Sequence, residues 1–350
     1  MRWHSHRSSS MAAFVFLLMG ASPCVFGQRS DTRPNILLIT ADDMNYDSLG
    51  VTGCDLPCIT PHVDQLAAEG KVFERGYVVS TICGPSRAAM YTGMYPHKSG
   101  SSGHGEMPVE GWSDGAVDYS VSTLLGDAGY FTGLFCKGVG NAIPGGFNVA
   151  RNIFQMDAGR NPQAYYEESV DFFEKAKDRE QPFFLNVNTS DPHRYWARMD
   201  SEANQLEQYA QTASEKFGET IEVPNPITEF RAEHIPMPAF LPDIPEMREY
   251  IAPYYNSVNR TDESVGKTLQ ALDEAGLRDN TMVIFLSDHG MGVIGAKWTC
   301  YPYGTQTPII IRWPGEVSPG QVDSTHLVSA IDLLPTILEA ADLEVPDQTD

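Results

Sequence analysis

PNILLITADD, residues 34–43, joins an almost unbroken apolar, β-prone run to two adjacent carboxylates. A strand apolar on both faces reads as a buried strand of a parallel sheet covered by helices on either side. The loop directly after it stands at the carboxyl end of the strand, where open α/β sheets bind their ligands. Asp42 and Asp43 therefore open the candidate site. Side by side they repel unless a cation or solvent separates them; the plainer alternative is a solvated turn in which one Asp caps a helix.

The same pattern repeats outward from this stretch. VFERGYVV, YFTGLF, PFFLNVN (182–188), TMVIFLS (281–287) and TPIIIRW (307–313) read as strands. HVDQLAAEG ending on Gly70, VSTLLGDAG, the periodic stretch from Tyr254 to Gly276 and DLLPTILEAA read as helices. The alternation predicts an α/β fold, a central, mostly parallel sheet sandwiched by helices. Further polar loops follow the strands: SDPHR (190–194) and SDHGMG (287–292). Asp288 and His289 form a second pair at a strand end, and the two strand ends can converge on one divalent ion. Three carboxylates plus one further oxygen suit Ca²⁺ or Mg²⁺ better than zinc.

A chain of 350 residues fits one large α/β domain or two ordinary ones. Its formal charge of -22, with Lys plus Arg at 24 against Asp plus Glu at 46, excludes a nucleic-acid surface. An anionic substrate has to meet a local basic pocket. The opening MRWHSHRSSSMAAFVFLLMGASPCVFGQRS has a basic start, an apolar run from Met11 to Leu18 and a small-residue exit. Residues 1–27 thus read as a signal peptide, which predicts a secreted or periplasmic protein. The run is shorter than the roughly 20 residues that cross a bilayer, so no stable membrane span is expected. Cleavage after Gly27 leaves Cys54, Cys58, Cys83, Cys136 and Cys300, an odd number, so at least one is unpaired. Cys54 and Cys58 share one loop and either bridge or remain buried thiols. Residues 28–350 read as the catalytic domain, with a Pro-rich covering loop over 195–253. The last helix has no strand after it to close a further layer, so a C-terminal subdomain is expected to be missing.

TICGPSRAAMYTG, residues 81–93, places Cys83 at the amino end of a helix whose first turn is set by Pro85. Free N–H groups and the helix dipole favour an anion there, and Arg87, one turn inside, can hold a carboxylate or an anionic nucleophile. No papain-like Cys/His pattern surrounds the thiol.

CGPSRAAMYTG resembles the type I sulfatase signature, Cys-x-Pro-Ser-Arg followed by Thr-Gly, of the formylglycine-dependent branch of the alkaline phosphatase superfamily. Four such fixed residues arise by chance in a chain of this length about once in a thousand. The similarity runs from RPNILLITADD to TPIIIRWPGE. It implies an alkaline-phosphatase/sulfatase-like fold and a Cys83 oxidised to Cα-formylglycine (3-oxoalanine) by a formylglycine-generating enzyme. It implies Ca²⁺, with Mg²⁺ as the alternative, held by Asp42, Asp43, Asp288 and His289 with modified Cys83 adding an oxygen. Arg87 and Lys137 are similar to the basic groups that flank the formylglycine. Lys137, Lys297 of GAKW, and His193 and Arg194 of DPHR resemble the groups that grip sulfate and the leaving oxygen. DPHR, EKFG and YGTQTP are similar to the heparan N-sulfatase branch and related bacterial sulfatases. The implied reaction is hydrolysis of sulfate esters or sulfamates on a sulfated carbohydrate. Two alternatives stay open: a phosphate or phosphonate monoester hydrolase of the same superfamily, and a catalytically weak protein that binds sulfated polymers. The lysine loop departs from the family's Gly-Lys-x-His-x-Gly, reading FCKGVGN. Lys137 remains, the histidine is absent, and His104 or His193 is the candidate substitute base.

Overall fold

The structure, a computed structural model, describes residues 33–101, 118–138, 146–194, 211–212, 214–216, 218 and 220–350. The leader over 1–27 and His104 lie outside the described residues.

The apolar run after Pro34 forms strand β1 (Asn35–Ala41), every residue of it buried. It lies between β6 (Phe183–Asn188) and β7 (Thr281–Ser287), parallel to both. The sheet reads β5-β4-β6-β1-β7-β8-β2-β9. The remaining strands of it are β2 (Lys71–Phe73), β4 (Phe131–Cys136), β5 (Val149–Asn152), β8 (Ile309–Arg312) and β9 (Gln321–Asp323). β8 alone runs against its neighbours, so the sheet is mostly parallel as predicted.

Alternation along β1 splits the interior into two layers, because successive strand side chains face opposite sides. Leu37, Ile39 and Ala41 join Phe172, Tyr254, Val258 and Leu66. These partners come from α4 (Pro162–Asp178), α5 (Pro245–Glu274) and α1 (Pro61–Ala68). Ile36 and Leu38 face the other way, into Ala88, Leu125, Leu334 and Ile337. Those belong to α2 (Cys83–Thr92), α3 (Val121–Asp127) and α6 (Leu333–Ala340). Helices on both faces are what the doubly apolar strand requires.

Two boundaries differ from expectation. VFERGYVV is not one strand: it breaks after Phe73, and Gly76–Tyr77 (β3) pairs with β10 (Val328–Ser329) in a separate two-stranded sheet. Gly76 is needed there, since a Cβ would lie 2.7 Å from the carbonyl oxygen of Thr307. The helix expected from Tyr254 starts at Pro245 and runs through Pro253, so the last residues of the 195–253 covering loop are helical. Ile251, Ala252, Tyr254 and Tyr255 are buried on either side of Pro253, and that packing outweighs the hydrogen bond an internal proline removes.

α1 begins on Pro61 without a local side-chain cap. Its cap comes from α5: the Asp262 carboxylate accepts the backbone N–H of His62 (3.1 Å) and of Val63 (2.8 Å). These are two of the first-turn donors a helix leaves unsatisfied. Burial raises the Asp262 carboxyl to about 7, against the two hydrogen bonds that lower it.

Candidate active site

β1, β7, β4 and β6 all end at one edge of the sheet, and their last residues and following loops build one pocket with the start of α2. Asp42 and Asp43 leave β1, Asp288 and His289 leave β7, Lys137 follows β4, and Asn188 ends β6. Cys83 is the first residue of α2. Asp43 adopts a left-handed backbone (φ 65°), which turns its N–H onto Asp288 Oδ1 at 3.0 Å.

The CGPSR stretch grips the β7 end twice. Ser86 Oγ donates to the Asp288 carbonyl at 2.6 Å, and Arg87 Nε donates to the Asp288 carboxylate at 2.9 Å. Arg87 is fully buried, and its Nη1 donates to Asn188 Oδ1 at 2.5 Å. Its Nη2 has no hydrogen-bond acceptor among the described residues and stands 3.9 Å from Asp42 Oδ1. Burial alone would lower the guanidinium, yet Asp288 and Asp42 hold it above its ordinary value.

Cys83 Sγ lies among the predicted ligands: 3.5 Å from Asp42 Oδ1, 3.7 Å from Asp43 Oδ1, 3.2 Å from His289 Nε2 and 3.2 Å from Lys297 Nζ. Burial, then the Asp42 carboxylate, pushes the thiol up. An unmodified Cys83 is thus a poor thiolate, unlike the low-pKa cysteines that act as nucleophiles. Lys297 Nζ donates to Asp43 at 2.8 and 3.0 Å, and Lys137 Nζ to Asp42 at 2.5 Å. Burial raises both carboxyls in isolation, but Lys137 and His193 at Asp42, and His193 and His289 at Asp43, pull them below the usual range. His193 Nε2 is 3.8 Å from Asp43 Oδ2. Burial lowers the His193 imidazole, and Asp43 and Asp42 more than reverse it, so the ring is raised overall.

With an oxygen in place of Cys83 Sγ, the donor set fits a hard cation. One ligand atom each of Asp42, Cys83, Asp288 and His289 lies within 4.8 Å of the others. Donors about 2.3–2.6 Å from a shared Ca²⁺ can be no farther apart than roughly that. His289 Nδ1 lies 2.9 Å from the Gly290 carbonyl, which takes the ring N–H on that side and leaves the Nε2 lone pair facing the carboxylates. Gly292 leaves room beside them, since a Cβ there would meet Asp43 Oδ2 at 2.8 Å.

Every predicted site residue within the described residues except Arg194 contacts this cluster directly. Arg194 lies at the rim, exposed, its stem packed over Gly292 and its Nη2 donating to Tyr250 Oη at 2.9 Å. Asn188 and Arg160 were not foreseen. Asp191, buried, takes hydrogen bonds from Arg160 Nη1 and from Arg260 Nε (2.6 Å). Arg160 Nη2 also donates to the carbonyls of His193 (3.1 Å) and Arg194 (3.4 Å). The SDPHR loop therefore divides its work: Asp191 anchors, and His193 faces the pocket. Cys136, where the family prefers glycine, sits at φ 70°, a conformation that glycine adopts freely; its Sγ lies 3.3 Å from Ser190 Oγ. All five described cysteines are free thiols, so Cys54 and Cys58 do not bridge.

A mostly parallel sheet with carboxylates, lysines and a helix-start cysteine at one edge defines an alkaline-phosphatase/sulfatase-like protein. The sulfatase family model matches residues 34–343, and the chain belongs to the sulfatase family. It is 32% identical to human N-sulphoglucosamine sulphohydrolase over 90% of this chain and 62% of that protein. It is 31% identical to human arylsulfatase A over 90% of this chain and 66% of that one. The chain thus spans less than two thirds of the length of these relatives. Among solved structures, Ps i-CgsB in complex with k-i-k-neocarrahexaose aligns with a TM-score of 0.65 at 25% identity, over 91% of this chain and 74% of that one. Among the described residues, no helix is long and apolar enough to cross a membrane.

Proposed function

We propose that the protein hydrolyses sulfate esters or sulfamates on a sulfated carbohydrate, with residue 83 in its formylglycine form and Ca²⁺ at the carboxylates. The observation that carries this is the packing around Cys83: three carboxylates and an imidazole on one side, Lys137, Lys297 and His193 close by, and the thiol itself held neutral. The sulfated sugars named for the human sulphohydrolase and for the ulvan-active sulfatases of Formosa agariphila support a carbohydrate substrate.

When present, the formylglycine hydrate supplies the hydroxyl that attacks sulfur and a second hydroxyl whose deprotonation lets sulfate leave, while Ca²⁺ at Asp42, Asp43, Asp288 and His289 polarises the sulfate oxygens. The chain's own residues do the rest. Arg87 Nη2, buried with no acceptor among the described residues and 3.9 Å from Asp42 Oδ1, is a donor left over for an oxygen brought into the pocket. Lys137 and Lys297 are the charges that meet a sulfate, and in a water-poor pocket such aimed donors act most strongly on developing negative charge. His193, whose Nε2 lies 3.8 Å from Asp43 Oδ2 at the pocket, is the group placed to give a proton to the leaving oxygen. The leader over residues 1–27 directs the protein to the periplasm or outside the cell, where such polymers occur.

The intact mass of the Cys83 peptide from natively produced protein tests the nucleophile, because conversion of thiol to aldehyde makes the peptide lighter. Rates on a sulfate ester and the matching phosphate ester, measured side by side, test the reaction. An unmodified peptide, wild-type turnover in Cys83→Ala, or a faster phosphate rate would each overturn the reading.

A further inference from the structure

The loop after β7 buries Met291, Val293 and Ala296 but turns three large apolar groups outward. Ile294 is 94% exposed, Trp298 58% and Tyr301 66%, in a stretch that also supplies Lys297 to the pocket. The loop is tied shut on itself: Gly290 N–H donates to the Gly304 carbonyl, Lys297 N–H to Met291, and Thr299 N–H to Ala296. Phe240 packs against Gly295, and its ring meets Tyr303 at a tilt of 42° with centroids 4.3 Å apart. The backbone of Trp298 is held beside the site from both sides. The residue before it touches Cys83 Sγ through Nζ at 3.2 Å, and its own N–H donates at 3.1 Å to Thr81, two residues ahead of Cys83. Its backbone is left-handed, φ 69°. A bulky residue rarely adopts that region, and such positions cluster where a ligand is clamped.

An indole kept half exposed on a closed, tied loop beside an anion pocket has the form of a platform for a sugar ring. The apolar C–H face of a pyranose covers an aromatic surface at small entropic cost, because the aromatic side chain has only two torsions to fix. Arg194, exposed on the neighbouring rim, supplies a cation for a second acidic group. We propose that Trp298, with Tyr301 beyond it, binds the sugar next to the sulfated unit, so that the substrate is an oligosaccharide of at least two acidic sugars rather than a free sulfated monosaccharide. This rests on the sulfatase reading above.

The test uses glucosamine N-sulfate, N-acetylglucosamine 6-sulfate and N-acetylgalactosamine 6-sulfate, each as the monosaccharide and as the non-reducing end of a size-fractionated tetrasaccharide. Wild-type protein should favour the tetrasaccharide. Trp298→Ala should raise its KM about tenfold, a loss appropriate to one stacked ring, with kcat kept and the monosaccharide rate within about twofold. Trp298→Phe should recover most of the difference. Equal losses on both substrate lengths would make Trp298 structural, and an unchanged tetrasaccharide KM would remove it from the site; either overturns the proposal. If wild type cleaves no probe, these three sugars are excluded as substrates, and the sulfate-ester and phosphate-ester rates decide the sulfatase reading separately. Retardation in tetrasaccharide-containing gels then decides the platform: weaker retardation of Trp298→Ala supports it, and equal retardation overturns it.

Discussion

Lys297→Met separates what the lysine does for the substrate from what it does for the fold. Methionine keeps most of the apolar stem, so packing changes little, and what is lost is a charge 2.8 and 3.0 Å from the Asp43 oxygens and 3.2 Å from Cys83 Sγ. Loss of one donor aimed at a charge-developing oxygen costs about a hundredfold to a thousandfold in kcat, or about 3–4 kcal/mol. The same change strips Asp43, 1% exposed, of the lysine that pairs with it at 2.8 Å. Removing one partner of a buried ion pair destabilises by about 3 kcal/mol. Ca²⁺ should separate the two readouts, because only the stability deficit should respond to it. Urea unfolding in chelator should show the stability deficit, and added Ca²⁺ should shrink it, because a cation at the carboxylates replaces the missing charge. Turnover on a sulfated monosaccharide or tetrasaccharide should stay low in the same buffer, since the metal does not stand where Lys297 met the substrate. Turnover within threefold of wild type, or a deficit that Ca²⁺ leaves untouched, would refute the reasoning.

Chelation should abolish activity reversibly, and Asp288→Asn should lose Ca²⁺ as measured by calorimetry; unchanged binding would misplace the metal. Arg160→Met should lower kcat about tenfold or more with Ca²⁺ binding intact, because the His193 loop loses the guanidinium that holds Asp191 and two loop carbonyls; loss of stability with kcat unaltered would make Arg160 purely structural. For Asp262 the folded carboxyl titrates at about 7 against an ordinary 3.8, so its stabilisation is full below about pH 4 and falls as pH rises through 7. Asp262→Asn should therefore gain stability relative to wild type between pH 5 and pH 8 in urea titrations, and parallel pH profiles would contradict that.

Much of this arrangement was legible because each ligand follows directly from an unmistakable element. Asp42 and Asp288 directly follow strands apolar on both faces, so local pattern put these two at one sheet edge, whereas Cys83, at a helix start set by Pro85, was joined to them only through the sulfatase resemblance. Asn188 carried a weak signal, an amide closing the apolar run PFFLNVN. The Asp191 knot carried almost none: its arginines lie 31 and 69 residues away, and nothing local joins them. The start of α5 was missed because Pro253 reads as a breaker in isolation, while in the fold the buried tyrosines after it keep the helix continuous. The split after Phe73 was missed because the backbone approach at Gly76 comes from residue 307.

The place of β1 in the sheet also sets a timetable. It is the earliest described strand to leave the ribosome, yet its two neighbours are β6 and β7, which begin at residues 183 and 281. Until the second of these is made, the carboxylates of β1 and the thiol of Cys83 have no wall to close against, since Asp288, His289 and Lys297 all come later still. In the finished molecule Cys83 is 4% exposed, too enclosed for another enzyme's active site to reach. Any maturation of that residue belongs to the interval before β7 and the loop after it have folded onto β1. Mutations that hasten closure of the sheet would shorten that interval, and a well-folded protein could then be an inactive one.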